Sequence, residues 1–242
     1  MEIAIVLPAY NASNTLKLTL DEIPTQYMKG IILVDDKSSD DTALLARKYN
    51  IPHIILHKQN KGYGGNQKTC YNYALGLDPK YIIMLHPDFQ YSPKHIPEMI
   101  DVLQSGQSDV VLGSRIMMGN AASFGMPIYK LICNKLLTFF QNKVTGLKLT
   151  EYHTGYRAYK ASVLRTLNYN SNSDNFIFDN QILCQIINKQ YTIREISTPS
   201  RYMSDSSSIS FFNSIIYGIG VIYINIRLLF HKKKILSYHL FD

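Results

Sequence analysis

The sequence predicts an α/β protein whose mostly parallel sheet is flanked by helices. Three observations lead there. Short apolar runs alternate with stretches of helical length and pattern along the first hundred residues. The runs are rich in Ile, Val and Leu, the composition of strands covered on both faces. Each run stops at a loop carrying carboxylates, amides or imidazoles. Strands alternating with helices imply parallel crossover units with helices on both sheet faces.

Ile3–Leu7 is the first strand, closed by Pro8. Ser13–Ile23 reads as a helix with Ser13 or Asn11 as its cap. Gly30–Val34 is the second strand and ends at Asp35-Asp36; Asp40–Tyr49 is a helix and Ile51–Leu56 a third strand. Asn66–Leu77 is helical, and Tyr81–Leu85 is a fourth strand that breaks at His86-Pro87-Asp88. Asp109–Leu112 is a fifth strand, delivering Gly113-Ser114-Arg115. Ligands of such sheets sit beyond the carboxyl ends of the strands. Four polar loops, at 8–11, 35–38, 57–62 and 86–90, therefore fall along one edge, where a nucleotide is the expected ligand.

Apolar residues make up 46% of the chain and charged residues 18%, enough to build a core and too apolar for a disordered segment. The net charge of +7 suits an anionic partner. Apart from Lys232-Lys233-Lys234 the basic residues are scattered, which argues against a nucleic-acid groove. Cys70, Cys133 and Cys184 are far apart and odd in number, so neither a disulfide framework nor a metal knuckle is expected. The chain opens on a strand with no basic leader, so no signal peptide is expected, and the cysteine usage makes a reducing, cytoplasmic compartment the expectation.

The loops carry an ordered set of motifs: LPAYN (7–11), VDDKSSDDT (34–42), NKGYGGN (60–66), HPDFQ (86–90), GSR (113–115), TGYRAYK (154–160) and RYMSDSSSI (201–209). Together these resemble family 2 glycosyltransferases of the GT-A fold, and more closely their dolichyl-phosphate mannosyltransferase-like branch. The resemblance implies a divalent metal, Mg2+ or Mn2+, held against a sugar nucleotide's diphosphate by the acidic motif after the fourth strand. Asp88 stands at its second acidic position, His86 at its first, and Gln90 at the branch's glutamine. Hard cations take oxygen ligands, often one or two carboxylates plus substrate phosphates. A ligating His86 would shift the preference towards Mn2+.

By the same resemblance, Pro8, Tyr10 and Asn11 lie beside the nucleotide, with Ala12 where the family often has glutamate. Asp35 and Asp36 lie near base and ribose, with Lys37 in place of the usual glycine. NKGYGGN is neither a P-loop nor a dinucleotide fingerprint. The resemblance makes it a backbone loop near the nucleotide, with Lys61 and Gly62 close to phosphate. Arg115, Arg157 and Arg201 stand at motif positions where a phosphate-bearing acceptor would be held, a task that suits arginine's planar fork. Asp179 falls where relatives carry an acid near the acceptor; it is the candidate general base and, equally, a first-turn helix acid. Glu151 is placed to hold the TGYR loop. In RYMSDSSSI the branch's lysine is replaced by Ile209.

Residues 209–230 are apolar and close to the roughly 20 residues a bilayer span needs. Asn213, Asn225, Arg227 and two glycines make the segment a poor span, so an interfacial helix followed by basic residues is expected; a dimer or core helix is the alternative. Pro127–Val144 is a second amphipathic stretch, expected to pack on the main domain. The expected organisation is a catalytic domain over 1–208 and a membrane-interfacial tail over 209–242. The expected activity is inverting, metal-dependent transfer from a GDP- or UDP-sugar to a polyprenyl phosphate at the cytoplasmic membrane face, with homo-oligomers as a further association. The alternatives are transfer to a glycan hydroxyl, a nucleotidyltransferase, and a non-catalytic nucleotide-sugar-binding scaffold.

Overall fold

A computed structural model describes residues 1–119, 121–201 and 211–241. Seven strands form one sheet: β1 (Ile3–Ala9), β2 (Ile31–Asp35), β3 (His53–Leu56), β4 (Tyr81–Met84), β5 (Val110–Ser114), β6 (Arg157–Lys160) and β7 (Ile193–Ser197). The order is β3-β2-β1-β4-β6-β5-β7; β6 runs antiparallel to β4 and β5, and the other pairings are parallel. The helices are α1 (Ser13–Glu22), α2 (Thr42–Lys48), α3 (Gly62–Gly76), α4 (Ile96–Gln104), α5 (Ile128–Thr145), α6 (Ala161–Thr166), α7 (Phe178–Asn188) and α8 (Phe211–Lys232). The expected mostly parallel α/β architecture is the one observed.

Alternation along the strands builds a core on each face. Ala4, Val6, Ile32, Val34, Ile82 and Met84 meet α3, α6, α7 and α8. Ile5, Leu7, Ile31, Leu33 and Ile83 meet α1, α2 and α4. Burial on both faces is why the first strands read as unbroken apolar runs.

Three details differ from the sequence reading. Strands β6, only RAYK, and β7 are additional to the five expected, and β6 is inserted between β4 and β5. Helix α3 begins at Gly62 rather than Asn66, because NKGYGGN is its first turn. Glycine is a poor helix former, which hides the turn in the sequence. It is needed there: a Cβ on Gly64 would fall 2.4 Å from the Ser173 carbonyl oxygen, and the Gly64 N–H donates to the Asp174 carbonyl at 2.7 Å. Helix α1 has no side-chain cap of its own. Instead Asp40 accepts from the Ser13 N–H (2.9 Å) and the Thr42 N–H (3.0 Å), tying two helix starts together. Burial opposes its charge, but the bonds from Thr42 and Ser13 hold its carboxyl below the usual range.

Helix α5 is inside out. Its buried residues are polar (Asn134, Thr138, Gln141 and Thr145) while Ile128, Ile132, Leu136 and Phe139 stand more than half exposed. It packs against α8, which likewise exposes Ile216, Ile219 and Tyr223. Positions 202–210, including most of RYMSDSSSI and Ile209, lie outside the described residues. Beyond the lysines the chain turns back onto α7: Gln185 Nε2 donates to the Leu240 carbonyl and Asn188 Nδ2 to the Phe241 carbonyl, each at 2.9 Å.

Candidate active site

The parallel strands deliver their carboxyl ends to one edge. Asp36, just past β2, is buried and committed to the protein: it accepts from the Lys61 N–H (2.8 Å), the Gly62 N–H (3.0 Å) and His57 Nδ1 (2.7 Å). A carboxylate at the amino end of α3 also gains from the helix dipole. Asp35 turns back to accept from the Ser38 N–H at 3.1 Å. Asn11, with a left-handed φ of 50°, accepts from the Ser39 N–H at 2.8 Å. The 8–11, 35–38 and 60–62 loops are thus laced into one rim, from which Tyr10 projects, 56% exposed.

Beside this rim, a cavity of about 530 Å³ opens at the tip of β4. His86, Asp88, Gln90, Arg115 and Asp179 line it. Pro8, Tyr10, Asn11, Asp35, Asp36, Lys61 and Gly62 lie outside it, on the rim. Asp88 takes the Gln90 N–H at 3.0 Å, closing the turn, and Phe89 between them is left-handed at φ 58°. Such strain in a non-glycine residue persists where surrounding structure enforces it, commonly at functional sites.

His86 lies almost parallel to the Tyr63 ring, centroids 5.2 Å apart, with its Nε2 3.1 Å from the Tyr63 hydroxyl. That hydroxyl donates to Asp179 at 2.6 Å, and Gln67 Nε2 donates to the same carboxylate at 3.2 Å. Burial pushes the His86 pKa down, partly offset by the Asp88 and Asp179 charges. Tyr63 is a member of the site that the sequence reading missed; its setting in a glycine-rich motif drew attention to the backbone instead.

The three arginines separate. Arg115 reaches the cavity while its backbone N–H and Nε donate to Glu151 at 2.8 and 2.9 Å and its Nη2 donates to the His153 carbonyl at 2.8 Å. Burial opposes the Glu151 charge, but Arg115 holds its carboxyl below the usual range. Arg157 does not reach the cavity. It is fully buried and donates to the Thr154 and Asp179 carbonyls, each at 2.8 Å, with Nη1 3.7 Å from the Asp179 carboxylate. Burial alone would lower its pKa; Asp179 and nearby tyrosines raise it instead, so it remains a cation. Its place is beneath Asp179, as a support. Arg201 is likewise outside the cavity lining: it pairs with both Glu22 oxygens (2.9 and 3.1 Å) and stacks on Phe89 at 4.2 Å, bracing the HPDFQ turn from behind.

Lys130 on α5 is a second cation at the cavity and was not anticipated. Burial and the neighbouring Arg115 lower its pKa, and it has no ion-pair partner among the described residues. One signal was available: a lysine early in an apolar helix that elsewhere keeps its charges apart.

The remaining walls are apolar. Leu136 and Leu137 of α5 face Ile215, Ile219 and Ile222 of α8 across the opening. Behind them a buried polar network joins α5, α7 and α8. Asn225 Nδ2 donates to Gln141 Oε1 (3.1 Å) and Asn180 Oδ1 (2.9 Å), while Gln141 Nε2 is 3.3 Å from His153 Nε2. His153 Nδ1 then meets the Tyr217 hydroxyl at 2.8 Å. Asn225, which makes the segment look a poor membrane span, thus faces protein.

His153 carries a pH dependence. Burial, helped by Arg115 and Arg157 against Glu151, lowers its pKa to about 4. Between that value and the unfolded value of about 6.5 the unfolded chain binds more protons, so stability rises with pH. The contribution is full above the unfolded pKa and is lost as pH falls towards 4, on the order of 2 kcal/mol after allowing for partial exposure. Melting at pH 7 and pH 4.5 should therefore differ, and His153→Asn should flatten the difference.

Among the described residues no three His, Cys, Asp or Glu side chains converge as a self-sufficient metal cage. Asp88 and Gln90 offer oxygens at the cavity, which fits a hard cation that takes its further ligands from a bound diphosphate.

With this geometry in hand, the comparisons are specific. The glycosyl transferase family 2 model matches residues 4–167, and the chain belongs to that family. It is a glycosyltransferase of the GT-A fold, which sets aside the nucleotidyltransferase and scaffold alternatives. It is 28% identical over 182 residues to UDP-N-acetylglucosamine–dolichyl-phosphate N-acetylglucosaminyltransferase of Methanococcus voltae, covering 68% of this chain and 72% of that one. It is 27% identical to the undecaprenyl-phosphate mannosyltransferase of Micrococcus luteus, covering 69% and 70%. Among solved structures, glucosyl-3-phosphoglycerate synthase from Mycobacterium tuberculosis, in complex with Mn2+, UDP-glucose and phosphoglyceric acid, superposes with a TM-score of 0.70 at 16% identity, covering 94% of this chain and 79% of that one.

Proposed function

We propose that the chain transfers a sugar, with inversion, from a nucleotide-diphosphate sugar to a polyprenyl phosphate at the cytoplasmic face of a membrane. The observation that carries this is the composition of a single cavity. Carboxylates (Asp88 and Asp179) and cations (Arg115 and Lys130) line it together with apolar residues of α5 and α8 that also stand exposed, among them Leu136, Ile215 and Ile219. A phosphate head on an isoprenoid chain has that same division. A freely soluble acceptor gives no account of an inside-out α5.

In this reading the nucleotide lies on the rim of Pro8, Tyr10, Asn11, Asp35, Asp36, Lys61 and Gly62, its diphosphate reaching Asp88 and Gln90. Asp88 and Gln90 would hold a divalent cation, Mg2+ or Mn2+, which when bound would supply charge neutralisation for a leaving diphosphate. Arg115 and Lys130 hold the acceptor phosphate, already anionic and in need of cations rather than a base. Arg157 and Arg201 act at one remove, by fixing Asp179 and the HPDFQ turn. Residues 1–208 form the catalytic domain. Residues 209–242 contribute a cavity wall through α8, whose stretch Asn213–Lys232 has a mean hydropathy of 1.5. With α5 it rests in the bilayer interface, and Lys232 and Lys233 meet anionic headgroups.

Lys130→Ala should raise the KM for undecaprenyl phosphate about tenfold, the value of one charge-assisted hydrogen bond, and leave the donor KM unchanged. An equal loss for both substrates would place Lys130 elsewhere. Asp179, in the cavity and fed by two donors, supports a second reading, transfer to a glycan hydroxyl through a general base. Asp179→Asn separates the two. Transfer to a hydroxyl should fall by about 10²–10⁴, whereas transfer to a phosphate, which needs no base, should fall by no more than about tenfold, the share left to the altered contacts with Tyr63 and Arg157. Flotation with anionic vesicles should carry the wild type upward; a stable dimer that ignores vesicles would assign the apolar faces to a second copy.

A further inference from the structure

The interior of α8 holds two glycines, Gly218 and Gly220, and packing accounts for only one of them. Glycine in a helix interior is less stable than alanine, so each position needs a physical reason. A Cβ on Gly220 would fall 3.1 Å from Ile177 Cδ1, so that glycine admits the residue just ahead of α7. A Cβ on Gly218 would meet, beyond its own helical turn and among the described residues, Leu137 Cδ1 alone, at an ordinary contact distance of 3.8 Å. Alanine would fit there. The fold does not require this glycine.

Gly218 borders the cavity instead. Ile215, Gly218, Ile219 and Ile222 recur at i, i+3, i+4 and i+7 and all line it, so the glycine is a notch in an otherwise branched apolar stripe. On α5, Lys130, Cys133, Asn134 and Leu137 recur at the same spacing and line the same space. Leu137 stands seven residues beyond Lys130, about 10 Å along the helix. A molecule whose phosphate is held at Lys130 and whose chain follows this stripe reaches the gap between Leu137 and Gly218 two turns on. The residues that flank the gap carry no charge, so it selects by girth.

We propose that Gly218 is a specificity-determining residue: opposite Leu137, it keeps open the passage along which the acceptor's isoprenoid chain runs away from the phosphate. The inference rests on the polyprenyl-phosphate reading and names the point at which the chain itself is selected. A methyl-branched chain needs a wider passage than a linear one, and a glycine in the stripe supplies that width. The helix gives up some stability at this position for space that the protein does not fill.

The test uses the full chain in detergent, so that vesicle binding does not enter. Gly218→Ala should raise the melting temperature by about 2–4 °C, the effect of helix propensity in a chain of this size. A fall would show that the glycine serves packing and would overturn the proposal. Gly218→Leu should raise the KM for undecaprenyl phosphate by about tenfold, equivalent to roughly two CH2 groups kept from burial, and leave the donor KM unchanged. Adding Leu137→Ala should recover most of that loss, as expected of residues in contact. Leu137→Phe narrows the same gap from α5 and should raise the same KM, so the question is decided even if Gly218→Leu does not fold. A wild-type KM in both narrowed variants would overturn the proposal and leave the acceptor reading standing. Cys133, the exposed cysteine on the α5 stripe, reports on that reading separately. Undecaprenyl phosphate should slow its alkylation in the wild type; no protection would remove the acceptor from this cavity, and both would fall.

Discussion

On the proposed function, Asp88→Ala should remove any metal-dependent stabilisation by nucleoside diphosphate and lower transfer by about a thousandfold or more, the scale on which a leading electrostatic contribution to a transition state acts. The side chain lines the cavity, and its turn is closed by its own bond to the Gln90 N–H. That bond is worth about 1 kcal/mol, so the variant should fold. In the wild type, a nucleoside diphosphate with Mn2+ at a hundredfold over its dissociation constant adds about 2.7 kcal/mol. For a chain of this size that corresponds to a melting shift of roughly 5–10 °C. Thermal unfolding with GDP, UDP, CMP and dTDP, each with and without Mn2+, reads the effect directly and also selects the nucleotide. A shift that survives in the variant would move the diphosphate away from the HPDFQ tip.

Arg157→Met lowers stability by about 3–5 kcal/mol, the usual effect of removing one partner of a buried charge pair. Three carbonyls that now accept from Arg157, those of Thr154, Asp179 and Tyr152, lose that donor, and among the described residues the Asp179 carboxylate keeps the Tyr63 and Gln67 donors. Chemical denaturation at pH 7 measures the loss. Adding Asp179→Asn should recover part of it, because the uncompensated carboxylate is gone; such non-additivity is expected of residues in contact. A loss below about 1 kcal/mol would mean the cation is not the support described.

Much of this fold is legible in the chain because β1, β2 and β4 are buried on both faces and must be apolar throughout. Strand β6 is not: RAYK carries a buried arginine and a partly exposed lysine, and it is a strand because β4 and β5 pair with it on either side. The site divides in the same way. Asp88, Asp179 and Arg115 were legible from their motifs and converge on one cavity. Arg157 and Arg201 stand at motif positions too, but a motif cannot say whether an arginine faces a ligand or a carboxylate of its own protein. Asp179 and Glu22 make that choice through space, from residues 22 and 179 positions away in sequence. Tyr63 and Lys130 were hidden by their neighbours, glycines in one case and apolar residues in the other. The inverted amphipathicity of α5 escaped for a related reason. Helical periodicity marks an apolar stripe and is silent about whether that stripe turns inward.

The most direct test of the central claim is sugar transfer into the organic phase. The purified chain, with Mn2+ and a panel of labelled UDP- and GDP-sugars, is incubated with anionic vesicles containing either undecaprenyl phosphate or undecaprenol. Label extracted with undecaprenyl phosphate, absent with undecaprenol, and lost in Asp88→Ala is the predicted result. No transfer to the lipid phosphate from any donor, together with transfer to a glycan hydroxyl that depends on Asp179, would contradict it.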